Sequence, residues 1–278
     1  MSVLQNKIDF AAILRVNHAN PNGDPLNGNR PRTDYNGVGE ITDVCLKRKI
    51  RDRLQDSGLE IFVQSDDRKM DDAKSLRDRA EKVLGKEFGS AKTAILACAK
   101  WVDVRAFGQL FALPKKGKGD EEEGDRALSI PIRGPVTVQS AFSVQPVEIT
   151  STQITKSVNS EGDGTKRGAD TMGMKHRVDD GVYVFFGSMN PQLAEKTAFS
   201  DEDAEAIKRV LPKLFENDAS SARPEGSMEV LKVVWWKHNC KSGQYSSAKV
   251  HRTLSVRPDG EIALTLLEGL QPEVIDGF

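Results

Sequence analysis

Three apolar runs constrain the fold of this chain more than any other feature. The first, IDFAAILRV at 8–16, has the length and β-branched content of a buried strand. VYVFFG at 182–187 and MEVLKVVWWKH at 228–238 have the same character, and a last strand is predicted at 261–267. Helical patterns separate these runs. We therefore expect an α+β protein.

A helix is predicted to begin just after Ile41. Thr42 or Asp43 can cap its free backbone N–H groups, and a carboxylate here suits the positive end of the helix dipole. Gly58 supplies an end signal. One stripe of this helix is apolar and predicted to face a core: Leu46, Ile50 and Leu54.

An adjacent flank of the same helix is positively charged. It carries Lys47, Arg48 and Arg51. Arg30 and Arg32 lie upstream on a segment too rich in Gly, Asn and Pro to be helical. Because cations from a loop and a helix can converge in one groove, the stretch is a candidate site for a chain of phosphates.

A second interpretation of the charged flank stays open. A basic run on an amphipathic helix is often a solvated face. In that case Asp43 and Lys47, four residues apart, would pair with each other. The charge pattern alone favours this simpler interpretation.

Two further stretches have a recognisable organisation. Residues 66–100 are highly charged with helical periodicity broken near Gly85 and Gly89, which predicts two or more helices. Residues 151–180 have two polar, β-capable arms around a Gly-rich tip, which predicts a long exposed hairpin. Its cations are interleaved with methionines: Lys156, Lys166, Arg167, Met172, Met174, Lys175, His176 and Arg177. Exposed methionines can separate stacked bases while cations hold the phosphates, although a Met-containing core strand is the alternative.

Other segments are less distinctive. The charged, Gly-rich stretch 114–126 cannot bury apolar surface and is expected to be a mobile surface loop. Around 134–142 we expect a helix or turn opened by Pro135, followed by a strand through 144–150. Residues 201–216 predict a helix capped by Ser200 or Asp201, with Pro212 as a position where the helix kinks or ends.

The composition excludes several classes of protein. The 278 residues have a formal net charge of −1, so affinity for a nucleic acid would require positive charge segregated onto one surface. Three widely spaced cysteines and four scattered histidines argue against a disulfide framework or a zinc site. We expect no metal and no other cofactor. Neither a signal peptide nor an apolar span is apparent, so a cytoplasmic protein without membrane contact is expected.

Several ordered motifs resemble a known family. They are NPNGDP, TDVCLKRKIR, DVRAFGQLF, GPVTVQSAFSVQPVEIT, GVYVFFGSMNP and FENDASSARPEGSMEV. In sequence and spacing they are similar to the backbone subunit of type I-C CRISPR Cascade, in the Cas-seven family of the RAMP superfamily. The resemblance runs from about residue 7 to about residue 255.

The resemblance implies a fold and a set of partners. Residues 1–278 would form one RRM-like (ferredoxin-like) palm with two insertions, helical fingers at 58–110 and a β-hairpin thumb at 149–181. The first apolar run would be the first, central strand of this palm. Copies of the subunit would line up along one CRISPR RNA and present it to target DNA. The large, small and guide-processing end subunits of Cascade would be further partners. Trp235 and Trp236 point to opposite faces of their strand, so one should be core and the other available for a subunit contact.

The predicted RNA-binding residues combine the charged flank with positions that the resemblance implies. They are Arg30, Arg32, Thr42, Lys47, Arg48, Arg51, Arg105, Gly108, Lys166, Arg167, Met172, Met174, Lys175 and His176. The aromatic residues of ordinary RRMs are not recognisable. Recognition should therefore depend on backbone charge and apolar wedges, and be largely independent of the guide sequence.

An enzymatic alternative is a metal-dependent endoribonuclease, since relatives in type III complexes cut RNA with a loop aspartate. Asp24, Asp34 and Asp43, with His18, are the candidate residues. Each aspartate also has an adequate local role in a turn or at a helix start. No established catalytic motif stands out, so we expect a protein that is not an enzyme.

Overall fold

The computed structural model describes residues 2–112, 129–155 and 172–278. The predicted loop at 114–126 and the predicted tip of the hairpin, with Lys156, Lys166 and Arg167, lie outside these residues. Within the described ranges, no helix has the length and apolar character needed to cross a membrane.

The strands of the described residues have the following bounds: β1 Ile8–Ala19, β2 Gly23–Asp24, β3 Arg30–Thr33, β4 Val38–Ile41, β5 Gly108–Ala112, β6 Ser129–Arg133, β7 Val136–Val138, β8 Ala141–Pro146, β9 Ile149–Thr155, β10 Met172–Met189, β11 Met228–Lys237, β12 Leu254–Val256, β13 Ile262–Leu264 and β14 Pro272–Asp276. The helices are α1 Asp43–Asp56, α2 Leu76–Leu84, α3 Thr93–Lys100, α4 Val102–Phe107, α5 Pro191–Thr197, α6 Asp201–Val210 and α7 Ser247–His251. The protein is therefore a mixed α/β chain.

A large antiparallel sheet organises the molecule. Its strand order is β14-β11-β1-β10-β8-β4-β3-β2, and β7 and β9 also pair with β10. β1 lies between β10 and β11 and is antiparallel to both, with Phe10 opposite Gly187 and Trp235. The prediction of a central first strand is confirmed.

Helices cover one face of the sheet. The apolar stripe of α1 is fully buried there, as its spacing predicted: Leu46, Ile50 and Leu54. Side chains of α6, including Ile207, join the same core. Thr42 caps α1 by accepting a hydrogen bond from the backbone N–H of Cys45 (3.3 Å). α6 begins with a reciprocal capping box between Ser200 and Asp203.

The opposite face is partly covered by the segment 245–270, which includes α7, β12 and β13. Beneath this segment lies a buried ionic cluster centred on Asp9. His238 accepts the backbone N–H of Gln244 at Nδ1 (2.9 Å), which leaves Nε2 to donate to Asp9 (2.9 Å). Lys7 Nζ and His251 Nε2 lie 3.3 and 3.5 Å from the same carboxylate. The cluster ties the chain after β11 to the central strand.

A third apolar cluster lies in the helical region between β4 and β7. It contains Phe62, Trp101 and Phe111, whose rings are in contact. α2 ends at Leu84, and Gly85 and Gly89 then take positive φ values before α3 begins. The helices predicted within 66–100 and the break between them are confirmed.

Four expectations from the sequence were wrong. Residues 134–142 form β7 and the start of β8, because these segments pair with β10 and do not close into a helix. The helix predicted for 201–216 is shorter than its expected bounds: it ends at Val210, and a 3-10 turn with Pro212 follows, in agreement with the expectation that Pro212 can end the helix. The strand predicted for 261–267 is limited to β13, while the additional edge strand β14 pairs with β11.

The fourth error concerns the tryptophans. Trp235 and Trp236 do point to opposite faces, and both are buried. Trp235 packs in the helix-covered core, stacked on Phe10, while Trp236 packs under the segment 245–270. Each face of the strand has its own apolar cover, so neither indole is available for a subunit contact.

Candidate nucleic-acid interface

Two cations of the α1 flank are paired on the protein surface. Lys47 Nζ lies 2.9 Å from Asp43, four residues earlier. The Arg48 guanidinium lies 3.3 Å from Asp67 and 3.7 Å from Asp52. The simpler interpretation of the flank is thus present in the structure. Arg48 and Asp67 are both exposed, and an exposed pair contributes little to stability, so Arg48 can exchange Asp67 for a phosphate at small cost. Lys47 is partly buried, and Asp52 is buried.

Arg51 has a more structural environment. Its Nε donates to Asp103 (3.0 Å), and its guanidinium lies 5.0 Å from the centre of the Phe107 ring. Asp103 is buried and also accepts the backbone N–H groups of Phe62 (2.7 Å) and Val63 (3.0 Å). Arg51 therefore joins α1 to α4 and, through Asp103, to the backbone at Phe62 and Val63.

Lys49 points in another direction. It is buried and paired with Asp218, which also accepts a hydrogen bond from Arg223 (3.1 Å). Burial lowers the pKa of Lys49, and the contact with Asp218 opposes that shift. This cation of α1 anchors the loop before β11.

The loop before α1 is joined to the helix by Asn22. Its side-chain oxygen accepts hydrogen bonds from the Thr42 backbone N–H (3.0 Å) and hydroxyl (2.9 Å). The Thr42 hydroxyl also caps α1. Thr42 is thus fully engaged in positioning the loop.

The same loop reaches the predicted hairpin at its other end. Arg30 donates to the Ser151 hydroxyl (2.9 Å), and His176 Nδ1 lies 2.8 Å from the same oxygen. Ser151 and His176 are opposite each other in the pairing of β9 with β10. Residues 20–33 therefore form a continuous link from the start of α1 to the base of the hairpin.

Arg32 lines a polar pocket on this link. Its Nη2 lies 3.4 Å from Asp24, while its buried Nε has no hydrogen-bond partner within the described ranges. The pocket is bounded by the following residues: Asp24, Asn27, Arg30, Pro31, Arg32, Thr33, Glu40 and Ile149. It places the two arginines that precede α1 beside the first residue of β9.

The arms of the hairpin expose the predicted wedge residues. β9 and β10 pair from Ile149 opposite Val178 to Thr155 opposite Met172. Met172 and Met174 are 67% and 55% exposed, and Lys175 is exposed beside them. The alternative of a core strand is therefore wrong for these two methionines.

Two further predicted site residues, Arg105 and Gly108, have close partners within the protein. Arg105 donates to both oxygens of the buried Asp203 (2.8 and 2.7 Å) and to the Cys98 carbonyl (3.2 Å). Gly108 has φ +82°, and a Cβ there would approach the Ile132 carbonyl to 2.3 Å. Close approach of neighbouring backbone explains this glycine without a phosphate. Arg105 and Gly108 thus each have a structural role within the protein.

Sequence reasoning missed the residues that hold this region together. Asn22, Asp103, Ser151 and Asp203 are common polar residues, and their partners lie up to 121 positions away in the chain. The only local signal was Asn22 within NPNGDP, where it indicated turn chemistry.

The candidate catalytic residues have local partners. Asp24 accepts the backbone N–H of Leu26 (3.2 Å), and Asp34 accepts that of Asn36 (2.8 Å). Asp43 pairs with Lys47. Among the described residues, no group of three or more His, Cys, Asp or Glu side chains is placed to hold a metal ion.

Comparison with known proteins assigns the family. A family model described as CRISPR-associated protein Cas7 matches residues 6–268. The chain belongs to the Cas7 family. A CRISPR-associated protein Cas7 from Haloferax volcanii is 29% identical over 286 residues, covering 98% of this chain and 81% of the relative. A chain of a CRISPR RNA-guided surveillance complex, pre-nicking, has a TM-score of 0.50 at 14% identity. That match covers 83% of this chain and 78% of the other, and it shows similarity of fold.

Proposed function

We propose that this Cas7 protein is the RNA-binding backbone subunit of a type I-C Cascade surveillance complex. Several copies would bind along one CRISPR RNA and present it for pairing with target DNA, together with the large, small and guide-processing end subunits. Such a complex would work in the cytoplasm. The observation that supports this proposal is the link 20–33, which carries Arg30 and Arg32 and is hydrogen-bonded to Thr42 at the start of α1 and to Ser151 at the base of the hairpin.

The sheet supports an RRM-like palm. Its four central strands lie in the order β11-β1-β10-β8, with antiparallel neighbours, and α1 and α6 pack on one face. Taken in chain order, these elements follow a βαββαβ pattern with spatial order 4-1-3-2, which is that of ferredoxin-like folds. We assign 58–110 as the helical fingers and 149–181 as the thumb, both inserted into this palm.

Guide binding is proposed to occur through the phosphates. Arg30, Arg32, Lys47 and Arg48 would contact the backbone, and Arg51 would contribute where its guanidinium is accessible beside Phe107. Met172 would separate bases, with Met174, Lys175 and His176 alongside and Lys166 and Arg167 completing the thumb. Because these groups do not read base edges, binding would tolerate any guide sequence.

The salt dependence of RNA binding tests this function. Lys47→Ala should weaken binding of unrelated RNA sequences to a similar degree. It should also reduce the slope of log affinity against log salt by about 0.7, the value for one phosphate contact on a single strand. Lys241→Ala is the matched control, because Lys241 is an exposed lysine paired with Glu195 at 2.6 Å. A wild-type chain that binds no RNA would refute the proposal.

The ribonuclease alternative has its own test. Purified protein is incubated with labelled RNA and Mg²⁺ or Mn²⁺. Site-specific cleavage that is lost in Asp24→Ala would replace the backbone role with catalysis. We expect intact RNA.

A further inference from the structure

Tyr35 is the most exposed large hydrophobic side chain among the described residues. Its ring is fully exposed at the tip of the turn between β3 and β4. Tyrosine rings usually bury part of their apolar surface, so such exposure on an ordered turn suggests a partner. The backbone on both sides of Tyr35 is ordered by hydrogen bonds.

The turn that carries Tyr35 is closed by several hydrogen bonds. Asp34 Oδ1 accepts the backbone N–H groups of Asn36 (2.8 Å) and Val38 (2.9 Å). The Asp34 N–H donates to the Val38 carbonyl (2.9 Å), and the Gly37 N–H donates to the Asp34 carbonyl (3.1 Å). Gly37 takes φ +78°, which glycine tolerates best. The position of Tyr35 is therefore set before any partner binds.

β3 connects this tip directly to the arginines of the proposed guide site. Arg30 and Arg32 lie on β3, and Tyr35 follows the strand by two residues. At the other end of β3, Leu26 is 98% exposed on the turn capped by Asp24. A strand rises about 3.3 Å per residue, so the two tips lie within the reach of a few nucleotides of each other. Two guanidinium groups thus lie between two exposed apolar side chains.

The surroundings favour a nucleic acid over a protein partner. Stable protein interfaces have an apolar core that is made of many side chains. Here the pocket beside β3 is lined mainly by polar and charged groups, including Asp24, Arg30, Arg32 and Glu40. A single aromatic ring on an ordered turn, next to guanidinium groups, suits one base and its neighbouring phosphates.

We propose that Tyr35 stacks on an unpaired base of the bound RNA, while Arg30 and Arg32 hold the adjacent phosphates. This inference rests on the proposed function and adds a base contact that does not depend on base identity. Every base offers a π-face, so the contact is compatible with a variable guide.

A comparison of two oligonucleotides tests the stacking. The full chain is titrated with fluorescently labelled single-stranded RNA of mixed sequence, and with an abasic phosphodiester oligomer of the same length. Tyr35→Ala should weaken RNA binding about 10-fold, equivalent to about 1.4 kcal/mol, and leave binding to the abasic oligomer unchanged. Tyr35→Phe should bind RNA like the wild type. Ile95→Ala, which alters another highly exposed apolar side chain, is the control for general surface effects.

The outcomes distinguish a failure of this inference from a failure of the proposed function on which it rests. Wild-type protein that binds neither oligomer would remove both proposals. Equal RNA binding by wild type and Tyr35→Ala would overturn the stacking alone, as would equal losses on both oligomers. Normal RNA binding by Tyr35→Ala with reduced co-purification of other Cascade subunits would assign Tyr35 to a protein contact instead.

Discussion

Arg30 donates a hydrogen bond to the hydroxyl of Ser151, a residue 121 positions later in the chain. The contact joins the loop that precedes α1 to the first strand of the hairpin, and His176 shares the same hydroxyl from the second strand. Two segments that are remote in sequence are thereby held at a fixed separation. In the proposed function this contact sets the spacing between the phosphate-binding loop and the thumb.

A double-mutant cycle on this contact gives the first prediction. Arg30→Ala should weaken RNA binding more than Ser151→Ala, because only the arginine carries charge. The two effects should be non-additive by about 0.5–3 kcal/mol, the range for residues in contact. Binding is measured by titration with the same RNA for all four proteins. Additive effects would show that Ser151 does not position Arg30.

The ion pair between Arg105 and Asp203 leads to a second prediction. Both oxygens of the carboxylate accept hydrogen bonds, and the pair joins α4 to the start of α6. Removing one partner of a buried pair costs about 3–5 kcal/mol, somewhat less where one side chain is partly exposed. Arg105→Ala should therefore strongly lower the denaturant concentration at the midpoint of unfolding. Arg105→Lys should be intermediate in stability, because lysine cannot form the two parallel hydrogen bonds to the carboxylate.

RNA binding distinguishes this structural role from the one the sequence implied. When affinity is corrected for the folded fraction, Arg105→Ala and Asp203→Ala should match the wild type. If Arg105→Ala lost affinity for RNA without losing stability, Arg105 would be assigned to the guide-binding site.

The buried cluster around Asp9 predicts how stability depends on pH. Burial raises the pKa of Asp9, but the hydrogen bond from His238 and the neighbouring His251, Ser247 and Lys7 side chains lower it by more. The net pKa is thus well below the ordinary value, and the folded state favours the carboxylate. A depressed pKa contributes stability above the unfolded value of about 3.9, and this contribution is lost as the pH falls below it.

Asp9→Asn should consequently be less stable than the wild type by about 1.5–3 kcal/mol near neutral pH, since the hydrogen bonds lose their charge assistance. The difference between the two proteins should shrink between about pH 5 and about pH 2. Urea denaturation at a series of pH values measures it. A difference that stays constant with pH would show that Asp9 is not charged in the folded protein.

The fold was more predictable than the site, for a physical reason. Apolar runs and stripes such as Leu46, Ile50 and Leu54 identify their elements locally, because burial follows from the periodicity of each segment. β14 was missed because its weak pattern forms a strand only through pairing with β11. Whether Arg30 or Arg105 is available to a ligand depends on partners far away in the sequence, Ser151 and Asp203. The residues next to Arg30 or Arg105 in the sequence do not indicate whether that arginine is available to a ligand.

Met172 provides a prediction for the hairpin. Its side chain is 67% exposed, so Met172→Ala should change the free energy of unfolding by no more than about 0.5 kcal/mol. In the assembled complex, loss of the wedge should alter the regular pattern of guide protection in nuclease footprinting. Val274→Ala, which also shortens an exposed apolar side chain, serves as the control. An unchanged footprint would exclude Met172 as the residue that separates the bases.

The last prediction concerns Trp236, one of the two tryptophans of which the sequence left one for a subunit contact. The structure buries both. The indole of Trp236 packs with Val234 and Val250 between the sheet and the segment 245–270. Replacing a buried tryptophan with alanine costs about 3–5 kcal/mol. Trp236→Ala should therefore destabilise the isolated chain, as measured by chemical denaturation, by an amount similar to Trp235→Ala. If Trp236→Ala instead left the isolated chain stable and only prevented assembly, the indole would belong to an interface between subunits. The segment 245–270 would then not pack over Trp236 in the isolated chain.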